Sequence, residues 1–440
     1  MALLISLVSA SCGTNESFEY LSKDFPAKSG SHKQVIQNFY HKNVIGFENS
    51  DQTEALYVFS SPVYINNNTY QNKIQPITGG DNRFAYQNIG NDIISFLPDK
   101  LSSQSSFLIQ SNNTEMELFP QSSESKDARQ IKYINAFGKS AEHLYYENAF
   151  ESNYYVFIDD FGIDTETVIS NTKINTMEYI VEMDNVTVDT TCPDYVLFRS
   201  IYDESVKGII YKPTIIENGK NVLDGVMTET CDISVNSAGE GRFTVTITLN
   251  DTFTEKAKYP LKINQSFHLY KPKEPDSAIY SDSSFNYYLN DKVVLGNDPQ
   301  KGEGQLLVRF ENLDFIDISP QDILSAEYII SEISGTSQSA TIAMYPVVSE
   351  WCSLNVRWNV KPIYSRNYVQ RITVNKRGDY HFDITELLQR WLENKGKEAD
   401  YIIRNGLVLV NETPDIPKLF ATGDNGVFTT CLKIKIRKGA

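Results

Sequence analysis

Residue patterns that mark catalysts and metal sites are scarce in this sequence. Its 440 residues include five histidines and five cysteines. No two cysteines stand in C-x-x-C, so zinc-ribbon and thioredoxin-like readings have no support. H-E-x-x-H, G-x-S-x-G and P-loop patterns are absent. The histidines (His32, His41, His143, His268, His381) are scattered. Past the N-terminus no run of 18 apolar residues occurs, so no later membrane-spanning helix is expected. Positive charge is also short: Lys and Arg number 40 against 56 Asp and Glu, for a formal net charge of −16. Phosphate backbones are bound by Lys and Arg that release counterions, so nucleic acid is not an expected partner. The same balance argues against an anionic membrane surface.

What is present favours strands. Hydrophobic residues make up 41% of the chain, enough for burial, and the aromatics are mainly 26 Tyr and 23 Phe with only 3 Trp. Tyr, Phe, Thr, Ile and Val suit a pleated surface, and Gly, Asn and Asp breaks recur at short intervals. The length exceeds one compact core, so two or three domains are expected. The cleanest alternation is Phe243-Thr-Val-Thr-Ile-Thr-Leu249, with apolar side chains on one face and Thr on the other. Breaks in the pattern divide the chain into a polar leader at 14–54, a first β unit at 55–128, a second at 129–266 and a C-terminal domain at 267–440. The leader is polar apart from Phe39-Tyr40 and Val44-Ile45. The last strand, Leu432 to Ile436, alternates Lys with Ile, which suits an edge or terminal strand.

Residues 1–13 form a signal-like segment. Met1 to Ala10 is apolar and too short to span a bilayer. Ser9-Ala10-Ser11-Cys12-Gly13 is similar to a lipobox, which makes Cys12 the candidate lipid-attachment residue. No Lys or Arg precedes the apolar run, and Ser9 stands where Leu is usual. An ordinary cleaved signal is the competing reading; both place the protein outside the cell or on its surface. Setting Cys12 aside, Cys192, Cys231, Cys352 and Cys431 allow two disulfides or none.

No catalytic constellation emerges. His381 lies beside Tyr380 and Asp383, but alternation with Phe382 turns it to solvent. Asp159-Asp160, and Asp276 with Asp282, offer oxygen ligands of the kind calcium takes, without a D-x-D-x-D-G loop. No cofactor is expected, calcium being the one candidate, and no metal-ligand set is assigned. Trp351 and Trp358 have faces suited to stacking on sugar rings, yet their positions also suit packing. One helix is expected: Asp383 or Thr385 caps it, and Ile384, Leu387, Leu388 and Trp391 fall at i, i+3, i+4 and i+7. Gly396 can end it.

The C-terminal motifs occur in a familiar order. Pro275-Asp-Ser-Ala-Ile-Tyr280 is followed by Leu295-Gly296, Leu306-Leu-Val-Arg-Phe310, Ile323-Leu-Ser-Ala326 and Ile342-Ala-Met-Tyr-Pro-Val347. Then come Trp351, Trp358-Asn359, Lys361-Pro362, Gly378-Asp-Tyr-His-Phe-Asp-Ile-Thr385 and Asn405-Gly-Leu-Val-Leu409. This series resembles the DNRLRE-domain family of bacterial and archaeal surface proteins. The β region before it is similar to segments of Rhs-like and wall-associated proteins, with Tyr259-Pro260-Leu-Lys-Ile-Asn264 at the joint. The resemblance implies an all-β chain of tandem domains ending in a jelly-roll-like β-sandwich closed by one short helix. It further implies kinship with carbohydrate-binding modules and a polysaccharide or cell-wall glycan as partner; some relatives bind acidic polysaccharides. At net charge −16 an anionic glycan would need a local basic patch or bridging calcium. Non-catalytic glycan binding or adhesion is therefore the expected function, with no glycan-contacting residue assigned. A structural surface component and a polysaccharide-degrading enzyme are the alternatives.

Overall fold

The computed structural model describes residues 44–59, 74–77, 83–88, 93–111, 113–159, 161–171, 174–223, 231–269, 276–309, 318–394, 405–428 and 430–439, and the backbone of 32–35. Cys12 and Asp160 lie outside them. The chain is all-β, built from antiparallel sheets.

Residues 74–269 build an N-terminal sandwich from an eight-stranded and a nine-stranded sheet. The strand Arg242–Leu249 shows why the layers face each other: Phe243, Val245, Ile247 and Leu249 are buried. They share one core with Leu118 and Tyr179 of the same sheet and with Tyr154, Ile163 and Phe267 of the facing one. The strand Thr114–Pro120 pairs with Thr176–Glu182. The expected step between two units at 128/129 therefore falls inside a single shared core. The strand Leu261–Leu269 runs through the nine-stranded sheet, and Asn264 donates to the Thr165 carbonyl at 3.3 Å. The Tyr259–Asn264 segment thus leads into a central strand, one that continues past residue 266.

The C-terminal sandwich is one folded sheet rather than two separate ones. The strand Lys292–Asp298 makes the turnover. Residues Lys292 to Leu295 pair with Lys418–Ala421, and Gly296 to Asp298 pair with Gly302–Val308. Gly296 sits at the switch with φ +106°, where a Cβ would stand 2.8 Å from both the Asn411 amide nitrogen and the Pro414 carbonyl. The Leu295-Gly296 motif is thus an architectural hinge between layers. The expected helix forms over Thr385–Asn394, with Leu387, Leu388 and Trp391 buried. Asp383 caps it by accepting from the Thr385 amide at 2.9 Å, and the Thr385 hydroxyl receives the Ala326 amide at 2.9 Å.

Two sequence-based expectations change here. Residues 44–54, read as polar leader, hold the strand Val44–Asn49 and the start of Thr53–Phe59, which together form a hairpin. The hairpin pairs with Cys431–Arg437 from Thr53↔Arg437 to Phe59↔Cys431. The Lys–Ile strand is consequently not an edge; it lies between Thr53–Phe59 and Ile323–Glu332. Its alternation instead separates Ile434 and Ile436 in the core from Lys433 and Lys435, which pair with Glu327 at 3.3 Å and Asp51 at 2.7 Å.

Asp276 opens the strand Asp276–Tyr280 and is buried, accepting from the Gly423 amide at 2.7 Å. Burial pushes its carboxyl up to about 7, with the Gly423 bond opposing. A carboxyl raised on folding stabilises fully below its unfolded value near 3.8, and that contribution is lost as pH rises through about 7. Asp276→Asn is therefore expected to be less pH-sensitive than the parent between pH ~4 and ~7. Urea unfolding across that window checks this; parallel curves for the two chains would refute it.

Candidate functional site

The outer face of one layer of the C-terminal sandwich carries the feature that sets the surface apart. Ile279, Leu307 and Val408 alternate out of their strands, away from the core that holds Ala278, Leu306 and Leu409. Left bare they would form an apolar patch. Residues 347–369, joining Ala340–Pro346 to Gln370–Val374, fold back across them. Trp351 and Val356 are buried there, with Trp358 and Tyr364 packed alongside.

The excursion is anchored along its length. Val347 donates to the Gly406 carbonyl at 3.0 Å, Val348 to Ile363 at 2.8 Å, and Ser365 to Pro346 at 2.8 Å. The Trp351 indole donates to the Asn405 carbonyl at 2.7 Å, and the Arg309 guanidinium lies 4.5 Å over its ring. Gly406, at φ +73°, lets this support approach: a Cβ would lie 1.9 Å from the Val308 carbonyl. The motif residues Trp351, Asn405 and Gly406 thus hold the excursion in place, and Trp351 turns inward, as packing predicts. Trp358 is half-buried under Lys361, whose ammonium is 3.4 Å from the ring centroid.

The outward side of the same segment is unusual. Ten large apolar side chains are exposed among the described residues, and five of them, Val348, Leu354, Val360, Ile363 and Tyr368, fall in this excursion. Singly such exposure means little; five in one segment of 23 residues make that segment the candidate contact surface. Tyr368 is 48% exposed and presents a ring backed by the Arg371 guanidinium at 4.0 Å. Arg371 is held in turn by Glu412 through two bonds of 2.6 and 2.7 Å, which keep its fork fixed beneath the ring. Arg357 and Arg366 are exposed and have no ion-pair partner among the described residues. Against them the segment itself carries only Glu350, so its own charge is positive in an acidic chain.

The other sequence candidates separate. The His381 ring faces Glu327 at 3.4 Å, while Asp383 caps the helix and the Tyr380 hydroxyl receives the Asn375 and Lys376 amides. These three therefore make no acid–base pair. Asp276 begins the strand Asp276–Tyr280, and Asp282 lies past its other end. Asp159 meets partners that sequence reading did not join to it, Asp164 and His268. Cys192, Cys231, Cys352 and Cys431 are free thiols. A cleft between the two sandwiches is lined by Asp194, Tyr211, Tyr280, Asp291, Lys292 and Lys301 among others. Its charges are spent on the joint: Lys301 pairs with Asp194 at 2.6 Å, and Asn290 donates to the same carboxylate at 3.1 Å.

Comparison with known proteins bears on the module that carries the excursion. Residues 271–406 match the model of carbohydrate-binding module family 96. No curated protein matches the chain. A solved structure, an exo-beta-1,3-galactanase from Phanerochaete chrysosporium with galactose, aligns at 9% identity over 91% of this chain and 94% of that one. Its TM-score of 0.12 is too low to bear on fold or activity.

Proposed function

We propose that this chain is a non-catalytic, exported surface protein that binds polysaccharide through the 347–369 excursion of its C-terminal sandwich. One observation carries the reading. Half of the exposed large apolar side chains among the described residues gather on a segment inside the carbohydrate-binding-module match. Tyr368 supplies a stacking face, and Arg357 and Arg366 suit an acidic sugar, supplying the local basic patch that an anionic glycan requires. The order of motifs from Asp276 to Leu409 supports a DNRLRE-type surface protein, and Cys12 is the residue that would carry a lipid.

Affinity electrophoresis of the full chain through neutral and acidic polysaccharides tests the binding. Tyr368→Ala is expected to weaken retention by about tenfold or more, the effect of losing one aromatic platform. Arg357→Ala with Arg366→Ala should weaken retention on acidic polymers alone. Retention unchanged in all three variants would sink the assignment. The aliphatic side chains Val360 and Ile363, 61% and 69% exposed, favour the second reading, a structural surface component that contacts other proteins. Self-association lost in Ile363→Ser, with no polysaccharide retained by the parent, would establish that reading instead.

A further inference from the structure

Three side chains that the glycan surface does not use converge inside the N-terminal sandwich. Asp159 follows the strand Asn153–Ile158, Asp164 lies on Gly162–Ile169, and His268 on Leu261–Leu269. The register brings them together: Ile158 pairs with Ile163 across a tight connection, and Gly162 pairs with His268. Their exposures are 0%, 5% and 3%. His268 Nε2 is 2.9 Å from Asp159 Oδ2 and 3.6 Å from Asp164 Oδ1. Phe161 and Tyr211 wall the imidazole at 5.7 and 5.3 Å. Gly426, from the other sandwich, closes the top, for a Cβ there would stand 1.6 Å from Asp159 Oδ2.

The arrangement is fixed before anything binds. Asp159 Oδ1 accepts the Phe161 and Gly162 amides, both at 2.7 Å, which turns Oδ2 toward the imidazole. Such outer bonds are what orient metal ligands. Asp164 Oδ1 is buried and accepts no hydrogen bond. His268 Nε2 lies 3.6 Å from it, and a divalent cation between the three side chains would give this oxygen a bond.

We propose that Asp159, Asp164 and His268 form a buried structural site for a divalent transition metal ion, with zinc the best match. One imidazole nitrogen and two carboxylate oxygens suit zinc or its neighbours, whereas calcium takes six to eight oxygens. The two separations from His268 fit as well. With bonds of about 2.0–2.1 Å, the 2.9 and 3.6 Å spacings give angles at the ion of about 90° and about 120°. A water molecule or a second carboxylate oxygen fills the remaining position. Because Gly426 seals the site, the ion would clamp the N-terminal sandwich where the two sandwiches meet.

The test uses the full chain, stripped with chelator and then given zinc chloride. Metal content after gel filtration is expected to be one zinc per chain, with a melting temperature several degrees above the stripped form. Asp164→Asn and His268→Gln should lose affinity by more than the roughly 10–100-fold that loss of an outer partner costs. His381→Gln, which alters a surface histidine, should retain zinc like the parent. Zinc retained equally by Asp164→Asn and His268→Gln would mean an adventitious ion only and would overturn the site, as would a folded parent that takes up none. If those variants fail to fold, cobalt titration of the parent decides. Intense visible bands of a four- or five-coordinate ion support the site, and their absence refutes it.

Discussion

A chain begun after residue 60 is expected to lose the fold of its C-terminal sandwich, although every residue of the carbohydrate-binding-module match is retained. The hairpin Val44–Phe59 supplies Leu56 and Val58 to the main core beside Ile434 and Ile436. On the opposite face Ile45, Phe47, Tyr57 and Phe59 form a second cluster with Ile329 and Cys431. Truncation strips both, and it leaves Cys431–Arg437 with one pairing partner and an open edge. Open apolar edges recruit other chains. A single Leu56→Ala should already cost about 2–5 kcal/mol, the usual toll for a fully buried leucine. Against a typical domain stability of ~5–15 kcal/mol, removal of the whole hairpin is expected to be decisive. Sedimentation and calorimetry of the truncated chain test this. A monomer that melts at the parent's temperature would contradict it.

Trp351→Ala is the second large effect, and it separates architecture from recognition. Trp351 is 8% exposed, hydrogen-bonded to Asn405 and covered by Arg309. Its loss should cost about 3–5 kcal/mol where the segment stays docked, as for other buried aromatic truncations. The excursion would then open locally before the sandwich does. Trypsin should cut the variant after Arg357 and Arg366 far faster than the parent, and polysaccharide retention should vanish with it. Tyr368→Ala, by contrast, should lose retention while resisting trypsin like the parent. Equal protease resistance in Trp351→Ala and the parent would show that the indole does not hold the segment down.

The contrast shows what the sequence makes legible. Local regularities translate directly. The alternation from Phe243 to Leu249 and the spacing of Ile384, Leu387, Leu388 and Trp391 each record which face a core will take. The hairpin was less readable because Val44-Ile45 stands in polar surroundings and its partner strand lies at the far end of the chain. The excursion posed a different difficulty. Val360 and Ile363 have the chemistry of core residues, and only the folded chain shows that Trp351 and Val356 have already taken the inward positions. The same limit applies to Asp159. Its acidity was evident, but His268 reaches it through pairing between strands far apart in sequence.

The pairing of Thr53–Phe59 with Cys431–Arg437 has a consequence for biogenesis. Asp51 and Lys435, joined at 2.7 Å, are 384 positions apart. During vectorial synthesis an early hairpin must wait for nearly the whole chain to emerge before its seat exists. The intervening N-terminal sandwich, with its own core, has every strand it needs long before then. Its folding brings the waiting hairpin and the late strand into one neighbourhood and replaces a search by an open coil. A nascent chain arrested before Cys431 should therefore carry a settled middle and a sticky leading segment, a natural client for a holding chaperone.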